Sequence, residues 1–207
     1  MLSKIKGAFV RYLFRKFDAY FEQVFSSENR WGVVIDRTSS FEIPFQIDGG
    51  SYIEIGKSSS IGKHAWLGAF ISYLEGDKFS PLIKIGDNVR IGNHACITSI
   101  NRIVIGDGTL ISEYFYASDH SHGISPEVGV PPISQPLFSR EGVDIGHNCF
   151  IGYRVTILPG VKLGKNCVVG SHSVVTKSFP DYSMIAGVPA RLIKTYNFDS
   201  HTWVSIN

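Results

Sequence analysis

The sequence predicts an all-β solenoid, a parallel β-helix of hexapeptide repeats, from the pattern between Val143 and Thr176. A large aliphatic residue, usually followed by glycine, recurs there at every sixth position, as Ile145, Ile151, Ile157, Leu163, Val169 and Val175. A smaller, mostly apolar set follows each of these by four residues, as Cys149, Val155, Val161, Cys167 and Ser173. Period six matches neither the 3.6 of a helix nor strand alternation. It therefore predicts short strands joined by bends at fixed intervals, which is typical of a solenoid.

Three six-residue sides would close a triangular coil of eighteen residues. Each side would place two side chains in a narrow interior, and the glycine would let the backbone bend or approach closely where a Cβ would interfere. Residues eighteen apart would then stack, with Ile145 beneath Leu163 and Cys149 beneath Cys167, at a spacing of about 4.8 Å. The three cysteines are interpreted as small apolar residues and not as a disulfide framework.

Length and composition favour one ordinary domain, because 207 residues with 43% hydrophobic content supply ample core-forming material. The formal charge is +2 and the basic residues are spread along the chain, so nucleic acid is not an expected partner. The sequence has no run of eighteen apolar residues and no small-residue cleavage site behind an apolar core. Neither a membrane span nor a secretory signal is expected, and the predicted location is the cytoplasm or the inner face of the membrane.

Residues 1–30 are predicted to form an N-terminal amphipathic α-helix and a connector. Apolar residues recur at helical spacing, as Ile5, Phe9, Leu13, Phe14, Phe17, Tyr20, Phe21, Val24 and Phe25. Basic residues occupy much of the other face, as Lys4, Lys6, Arg11, Arg15 and Lys16. Two interpretations stay open. The apolar face packs on the solenoid, whose terminal coil would otherwise expose its core, or residues 1–26 contact an anionic membrane surface.

The solenoid domain is assigned to residues 31–195 and a C-terminal tail to residues 196–207. An imperfect opening coil is predicted between Trp31 and Ile53, and regular hexads begin at Ile55. The hexads are interrupted by a loop at about 72–82, by extra residues in the corner at 99–102, and by a protruding, proline-rich loop at 118–142. Because a solenoid requires only its hexads, functional residues are expected in these insertions.

The root of the longest insertion reads Ala117-Ser118-Asp119-His120-Ser121-His122-Gly123. Two histidines next to an aspartate are the best candidates in this chain for acid–base chemistry near neutral pH. Surface loops also contain such residues without any chemistry, so the residues alone leave both interpretations open.

The hexads, this loop root and the ending from Val174-Val175-Thr176-Lys177 to Ile185-Ala186-Gly187-Val188-Pro189-Ala190-Arg191 resemble the hexapeptide-repeat acyltransferases. Within that family they are most similar to sugar O-acetyltransferases of the galactoside and maltose type and of polysaccharide or O-antigen modification. The resemblance covers about residues 55–194. It implies a left-handed β-helix, a homotrimer with active sites between subunits, and direct acetyl transfer from acetyl-CoA to a saccharide hydroxyl.

By this resemblance the catalytic histidine of the family corresponds to His120, which would act as general base on the acceptor hydroxyl. The backbone N–H of Tyr153, just after Gly152, corresponds to the donor that stabilises the oxyanion. Asp119 would either orient His120 or cap the turn. His122 would be structural or would face the substrate.

The resemblance also implies residues that bind acetyl-CoA. The pantetheine arm would contact the backbone of the solenoid, and cationic side chains would bind the phosphates. The candidates for these contacts are Gly152, Ser171, Thr176, Lys177, Arg191 and Lys194. Phe150 stands where relatives commonly carry tryptophan, which leaves an aromatic wall but no indole donor. Asn101 would contact the acceptor, or would simply favour the turn in which it lies.

Several other functions stay open at this point. An N-acyltransferase acting on an amino sugar or its nucleotide, or an antibiotic acetyltransferase, would use the same base and the same cofactor groove. A zinc enzyme similar to the γ-carbonic anhydrases needs three converging histidines, whereas His120 and His122 supply only a close pair, so no metal site is predicted. A non-catalytic scaffold also stays open, and failure to bind CoA would argue for it.

Overall fold

The computed structural model describes residues 32–206, apart from the side chain of Val128, as a triangular prism whose faces are three sheets of parallel strands. Face one consists of β1 (Val34–Ile35), β4 (Ile53–Ile55), β7 (Ile83–Ile85), β10 (Ile103–Ile105), β15 (Val143–Ile145) and β18 (Lys162–Leu163). Face two consists of β2 (Ser40–Phe41), β5 (Ser60–Ile61), β8 (Arg90–Ile91), β11 (Leu110–Ile111), β16 (Phe150–Ile151) and β19 (Val168–Val169). Face three consists of β3 (Gln46–Asp48), β6 (Trp66–Ala69), β9 (Cys96–Ser99), β12 (Tyr116–Ser118), β17 (Thr156–Ile157) and β20 (Val174–Val175).

Pairing along each face stacks equivalent residues coil upon coil. Ile145 pairs with Leu163, and the backbone N–H of Phe150 donates to the carbonyl of Cys167 at 2.9 Å. The six aliphatic residues that recur at period six between 145 and 175 are all buried, and so are Cys149 and Cys167, which are free thiols. The predicted coil, its stacking and its core are therefore confirmed, and the opening coil predicted from Trp31 to Ile53 is present as β1 to β3.

The glycines that follow the aliphatic residues permit close approach between coils. A Cβ added to Gly146 would lie 2.6 Å from the carbonyl carbon of Gly164, closer than real Cβ atoms come to backbone. The bends fall on other residues, which have positive φ angles, such as Asn148 at 56° and Arg154 at 54°. Of the two roles that the sequence left open for these glycines, close approach is the one that Gly146 performs.

All the insertions lie at one corner of the prism, the third corner, where face three leads back to face one. Thr156 pairs with Val174, eighteen residues further along the chain. Tyr116 pairs with Thr156, forty residues further along, because residues 118–142 are inserted between these two coils. This arm (residues 118–142) contains an antiparallel pair, β13 (Ser121–His122) and β14 (Leu137–Phe138). The loop of residues 70–82 and the corner at residues 99–102 lie at the same edge, one above the other.

At its C-terminal end the chain extends face two beyond the last coil. Strand β21 (Ser183–Gly187) pairs in parallel with β19, and the chain then reverses into β22 (Ala190–Asn197) and β23 (Thr202–Ser205), which pair antiparallel. The segment 196–207, assigned to a tail, thus includes the end of β22 and all of β23.

Helical structure in the described part of the chain is limited to three short 3-10 turns, at Gly50–Tyr52, Pro126–Val128 and Pro132–Ser134. Residues 32–206 include no helix with the length and apolarity to cross a membrane. The amphipathic helix predicted for residues 1–30 lies outside the described residues.

Candidate active site

The arm leaves the solenoid where β12 stacks on β9, and a buried carboxylate lies at this point. Asp119 has no exposed surface. Its two oxygens accept hydrogen bonds from the hydroxyl of Ser99 at 2.6 Å and from the backbone N–H groups of Ile100 at 3.0 Å and Asn101 at 2.9 Å. Oδ1 also lies 2.9 Å from Nδ1 of His120. One side chain therefore joins the histidine to the corner of the coil beneath it.

These contacts keep Asp119 ionised. Burial by itself would raise the pKa of its carboxyl, but the hydrogen bonds from His120, Ser99 and the two backbone N–H groups outweigh it and lower the pKa below its usual value. An ionised carboxylate is an acceptor only, so Nδ1 of His120 must carry a proton. The two roles that the sequence left open for Asp119 are both present, because it contacts His120 and also fixes the turn.

The contact with Asp119 engages only one of the two ring nitrogens of His120. Its side chain is 11% exposed, and Ser118 lies on the Nδ1 side, with its hydroxyl 3.3 Å from that nitrogen. Within residues 32–206 no hydrogen bond to Nε2 occurs. A neutral imidazole with its Nδ1 proton engaged and its Nε2 lone pair free has the arrangement of a general base.

The arm and the 70–82 loop meet next to this histidine. The hydroxyl of Tyr73 donates to the carbonyl of Ile133 at 2.7 Å, and its ring meets the His122 imidazole edge to face, with centroids 5.1 Å apart. On the other side, the Asn101 amide donates to the hydroxyl of Ser139 at 3.3 Å. The predicted residues Asn101, Asp119, His120 and His122 are therefore brought together at the third corner.

Gly152, Tyr153 and Ser171 lie elsewhere, at the second corner, where face two leads to face three. A Cβ on Gly152 would lie 2.7 Å from the backbone nitrogen of Ser171, so this position requires glycine. The backbone N–H of Tyr153 donates to the Ser171 hydroxyl at 3.2 Å. Phe150 is exposed on face two in the same coil. A single chain thus does not bring Tyr153 to His120, because the two residues lie at different corners.

The candidate cofactor residues of the C-terminal part are one hydroxyl and three cations, of which Lys177 and Arg191 are exposed and Lys194 is half-buried. Thr176 and Lys177 follow β20 at the third corner, with the Lys177 ammonium 5.6 Å from the centroid of the Phe179 ring. Arg191 and Lys194 lie on β22. Within the described range, no carboxylate forms an ion pair with these three cations, whereas Lys162 pairs with Glu141 at 2.8 Å. Anionic groups of a ligand could therefore bind them without competition.

Among the described residues, the other histidines are dispersed and do not form a metal site. His64 stacks on His94 at 4.7 Å along the second corner, and Nδ1 of His147 accepts from the backbone of Asp107 at the first corner, between faces one and two. No cluster of three or more potential ligands occurs in residues 32–206.

Sequence reasoning missed Ser99 and Tyr73. Both lie in or next to interruptions of the hexad pattern, so the broken spacing marked the right segments. It carried no signal for which residues of separate insertions would touch, because Tyr73 and Ile133 are sixty residues apart.

Comparison with known proteins agrees with this architecture. Residues 142–177 match the family described as bacterial transferase hexapeptide (six repeats). The chain is 39% identical over 130 residues to a putative lipopolysaccharide biosynthesis O-acetyl transferase, WbbJ, of Escherichia coli K12, which covers 59% of this chain and 65% of that protein. It is 32% identical over 139 residues to the galactoside O-acetyltransferase of the same organism, covering 67% and 64%. The matches span less than two thirds of the length of either relative.

Two solved structures share the fold. AntD, an N-acyltransferase from Bacillus cereus in complex with dTDP and 3-hydroxybutyryl-CoA, superposes with a TM-score of 0.66 at 21% identity, covering 82% of this chain and 86% of that one. A galactoside acetyltransferase in complex with coenzyme A gives a TM-score of 0.53 at 25% identity, covering 84% and 72%. The chain thus has the left-handed parallel β-helix fold of these structures, and residues 142–177 carry hexapeptide repeats of the bacterial transferase type.

Proposed function

We propose that this protein is an acetyl-CoA-dependent O-acetyltransferase that acetylates a saccharide hydroxyl, with His120 as its general base. The observation that carries the proposal is the contact of Nδ1 of His120 with the buried, ionised Asp119, which leaves Nε2 free to accept a proton. The names of the relatives, a lipopolysaccharide O-acetyl transferase and a galactoside O-acetyltransferase, support a sugar as the acceptor.

The chemistry follows from these positions. An alcohol is a weak nucleophile at neutral pH, so Nε2 of His120 takes the hydroxyl proton as the oxygen bonds to the acetyl carbonyl carbon. The carbon–sulfur bond then breaks, and the CoA thiolate takes the proton back from the imidazolium. The backbone N–H of Tyr153 is the proposed donor to the oxyanion, and it would exchange its bond to the Ser171 hydroxyl for one to the substrate.

This mechanism requires more than one copy of the chain. His120 lies at the third corner and Tyr153 at the second, so the base of one copy has to meet the oxyanion donor of another. A cyclic trimer satisfies this, because each second corner meets a neighbouring third corner and the ring closes. We therefore propose a homotrimer with one site at each of its three interfaces.

Acetyl-CoA would lie across the same interface as the acyl donor. Lys177, Arg191 and Lys194 are the proposed phosphate ligands, since they lack carboxylate partners among residues 32–206. Gly152 is buried where neighbouring coils come close, and the pantetheine arm is proposed to contact the backbone next to it. The proposed location is the cytoplasm or the inner face of the membrane, where residues 1–26 would contact lipid if the acceptor is lipid-linked.

An N-acyltransferase is the second candidate. AntD, which shares the fold, is an N-acyltransferase, and one of its structures is a complex with dTDP-4-amino-4,6-dideoxyglucose and coenzyme A. An amine acceptor would need the same base only to remove a proton after attack. The acceptor assay should therefore include amino sugars beside their hydroxyl analogues.

The deciding experiment measures thiol release from acetyl-CoA with a panel of mono- and oligosaccharides, amino sugars and chloramphenicol. We expect release to depend on a sugar and to fall about 10²- to 10⁴-fold in His120→Ala, the usual range for a general base. CoA binding should survive in this variant. His201→Ala, an exposed histidine in the turn before β23, is the matched control. If the wild type fails to bind CoA, the acyltransferase proposal is wrong and a scaffold role replaces it.

A further inference from the structure

The arm and the 70–82 loop form one unit beside His120, although residues 83–117 separate them in the chain. Tyr73 makes both contacts between them, through its hydroxyl to the Ile133 carbonyl and through its ring to His122. The loop is itself ordered at this point, because the Asp77 carboxylate accepts from the backbone N–H of Leu74 at 2.8 Å. The Tyr73 ring is thus held in one orientation before any ligand binds.

The Tyr73 ring contacts a histidine that is two positions along the chain from the proposed base. His122 is two residues from His120, and two residues of extended chain span about 7 Å. The Tyr73 ring lies one ring contact beyond His122, at 5.1 Å between centroids. A hexopyranose whose hydroxyl reaches Nε2 of His120 would therefore extend toward Tyr73.

The chemistry of the surroundings fits a saccharide. The face of a pyranose presents C–H groups that pack against an aromatic ring, whereas its rim presents hydroxyls that need polar partners. Tyr73 is half-buried, and Asn101 and His122 are exposed polar groups at the same corner. Because the phenol hydroxyl is already bound to Ile133, the ring loses little conformational freedom when a ligand packs on it.

Resting on the proposed function, we infer that Tyr73 is a specificity-determining residue whose ring forms the platform for the acceptor sugar. The alternative role, a latch that only joins the two loops, would use the hydroxyl and not the ring. Two substitutions of Tyr73 distinguish the platform role from the latch role. Tyr73→Phe removes the hydrogen bond and keeps the ring, and Tyr73→Leu removes both.

The test is steady-state kinetics of wild type and both variants, with methyl glycosides of glucose, galactose, mannose and N-acetylglucosamine as acceptors. If the ring is the platform, Tyr73→Leu should lower kcat/KM for the accepted glycoside about tenfold or more and leave the KM for acetyl-CoA unchanged. The kcat/KM of Tyr73→Phe should stay within about threefold of the wild-type value. Tyr52→Leu, at the third corner of the opening coil, is the matched control.

Equal losses in Tyr73→Leu and Tyr73→Phe would overturn the platform in favour of a latch. Wild-type kinetics in Tyr73→Leu would overturn both roles while leaving the acetyltransferase proposal intact. If the wild type releases no CoA with any glycoside but does so with an amine or chloramphenicol, then the saccharide hydroxyl is wrong as the acceptor class, and the platform falls with it.

Discussion

Asp119 and His120 are neighbours in the chain, yet their side chains contact each other, with 2.9 Å between Oδ1 and Nδ1. Neighbours in a strand point to opposite sides, so this contact exists only because the chain bends at Asp119 as it leaves β12. The same carboxylate accepts from the backbone of Ile100 and Asn101 in the coil below. The bend, the base and the neighbouring corner are therefore fixed together by one buried charge.

Replacing this carboxylate should impair catalysis without preventing CoA binding. In Asp119→Asn the amide NH₂ must face at least one of the donors that now point at the carboxylate. The side chain at position 119 therefore no longer fixes the proton of His120 on Nδ1, and the other ring tautomer becomes populated. We expect kcat to fall about 10²-fold, with the KM for acetyl-CoA unchanged. Nitrogen-15 NMR of His120 should show a mixture of ring tautomers where the wild type shows the Nδ1–H form. A wild-type NMR signature in Asp119→Asn would contradict the positioning role.

The same substitution should change how stability depends on pH. Because hydrogen bonds hold the pKa of Asp119 below its usual value, its ionised form stabilises the fold above the unfolded carboxyl pKa, about 3.9. That stabilisation is lost as the pH falls through the lowered pKa of the folded state. Asp119→Asn should therefore be less stable than wild type by about 1–3 kcal/mol near neutral pH, and the difference should shrink below about pH 4.

Thermal unfolding of both proteins across this range measures the effect. Asp144→Asn is the matched control, because Asp144 forms a partly exposed ion pair with Arg102 at 2.6 Å. Exposed pairs contribute at most about 1 kcal/mol. A difference between Asp119→Asn and wild type that stays constant down to about pH 3 would contradict the assignment of a lowered pKa.

The fold was predictable from the sequence because a hexapeptide repeat leaves little freedom. Ile145 and Leu163 are eighteen residues apart and occupy equivalent positions in the repeat, so they stack on each other in successive coils. The faces, the core and the positions of the insertions all follow from this stacking. The handedness is different, since general sterics favour right-handed crossovers. It came from the resemblance to a family and was confirmed by comparison with solved structures.

The site was predictable only in part. The motif at Asp119 and His120 stood out as a break in the repeat, but the partners of Asp119 belong to another insertion. Contacts between insertions depend on how each loop folds back, as the bond from Tyr73 to Ile133 illustrates, and no spacing encodes that. The separation of Tyr153 from His120 follows directly from counting corners, and it is the reason why we propose an assembly of chains.

Gly152 should not tolerate even one added methyl group. In Gly152→Ala the Cβ would lie 2.7 Å from the nitrogen of Ser171 and 2.9 Å from the carbonyl oxygen of Val169, both of them backbone atoms that cannot turn away. We expect a loss of about 1–3 kcal/mol in unfolding free energy and weaker CoA binding, because the coil spacing must widen. The double variant with Ser171→Ala should not recover, since the clash with backbone remains. Recovery would show that the Ser171 hydroxyl was the only obstacle.

The three candidate cations should discriminate between forms of the cofactor. If Lys177, Arg191 or Lys194 binds the 3′-phosphate, its substitution by alanine should raise the Kd for CoA about fivefold to tenfold but leave the Kd for dephospho-CoA unchanged. A cation that binds the pyrophosphate should weaken both ligands equally. Lys162→Ala is the control, because Lys162 is already paired with Glu141. Calorimetry with the two ligands measures this, and unchanged affinity in all three variants would remove these residues from the cofactor site.

Removing residues 1–26 should distinguish the two interpretations of the amphipathic N-terminal sequence. The opening coil exposes apolar side chains, including Val34 at 61% and Ile43 at 42%. If the apolar face of the N-terminal segment packs on the solenoid, the deletion should lower the midpoint of thermal unfolding by several degrees, at about 2–4 °C per kcal/mol lost for a chain of this length. We expect this result, with little binding of the full-length protein to vesicles of anionic lipid. Strong vesicle binding that the deletion abolishes, with an unchanged midpoint, would instead favour the membrane contact, because the five basic residues between Lys4 and Lys16 would be attracted to such a surface. No change in either measurement would contradict both interpretations.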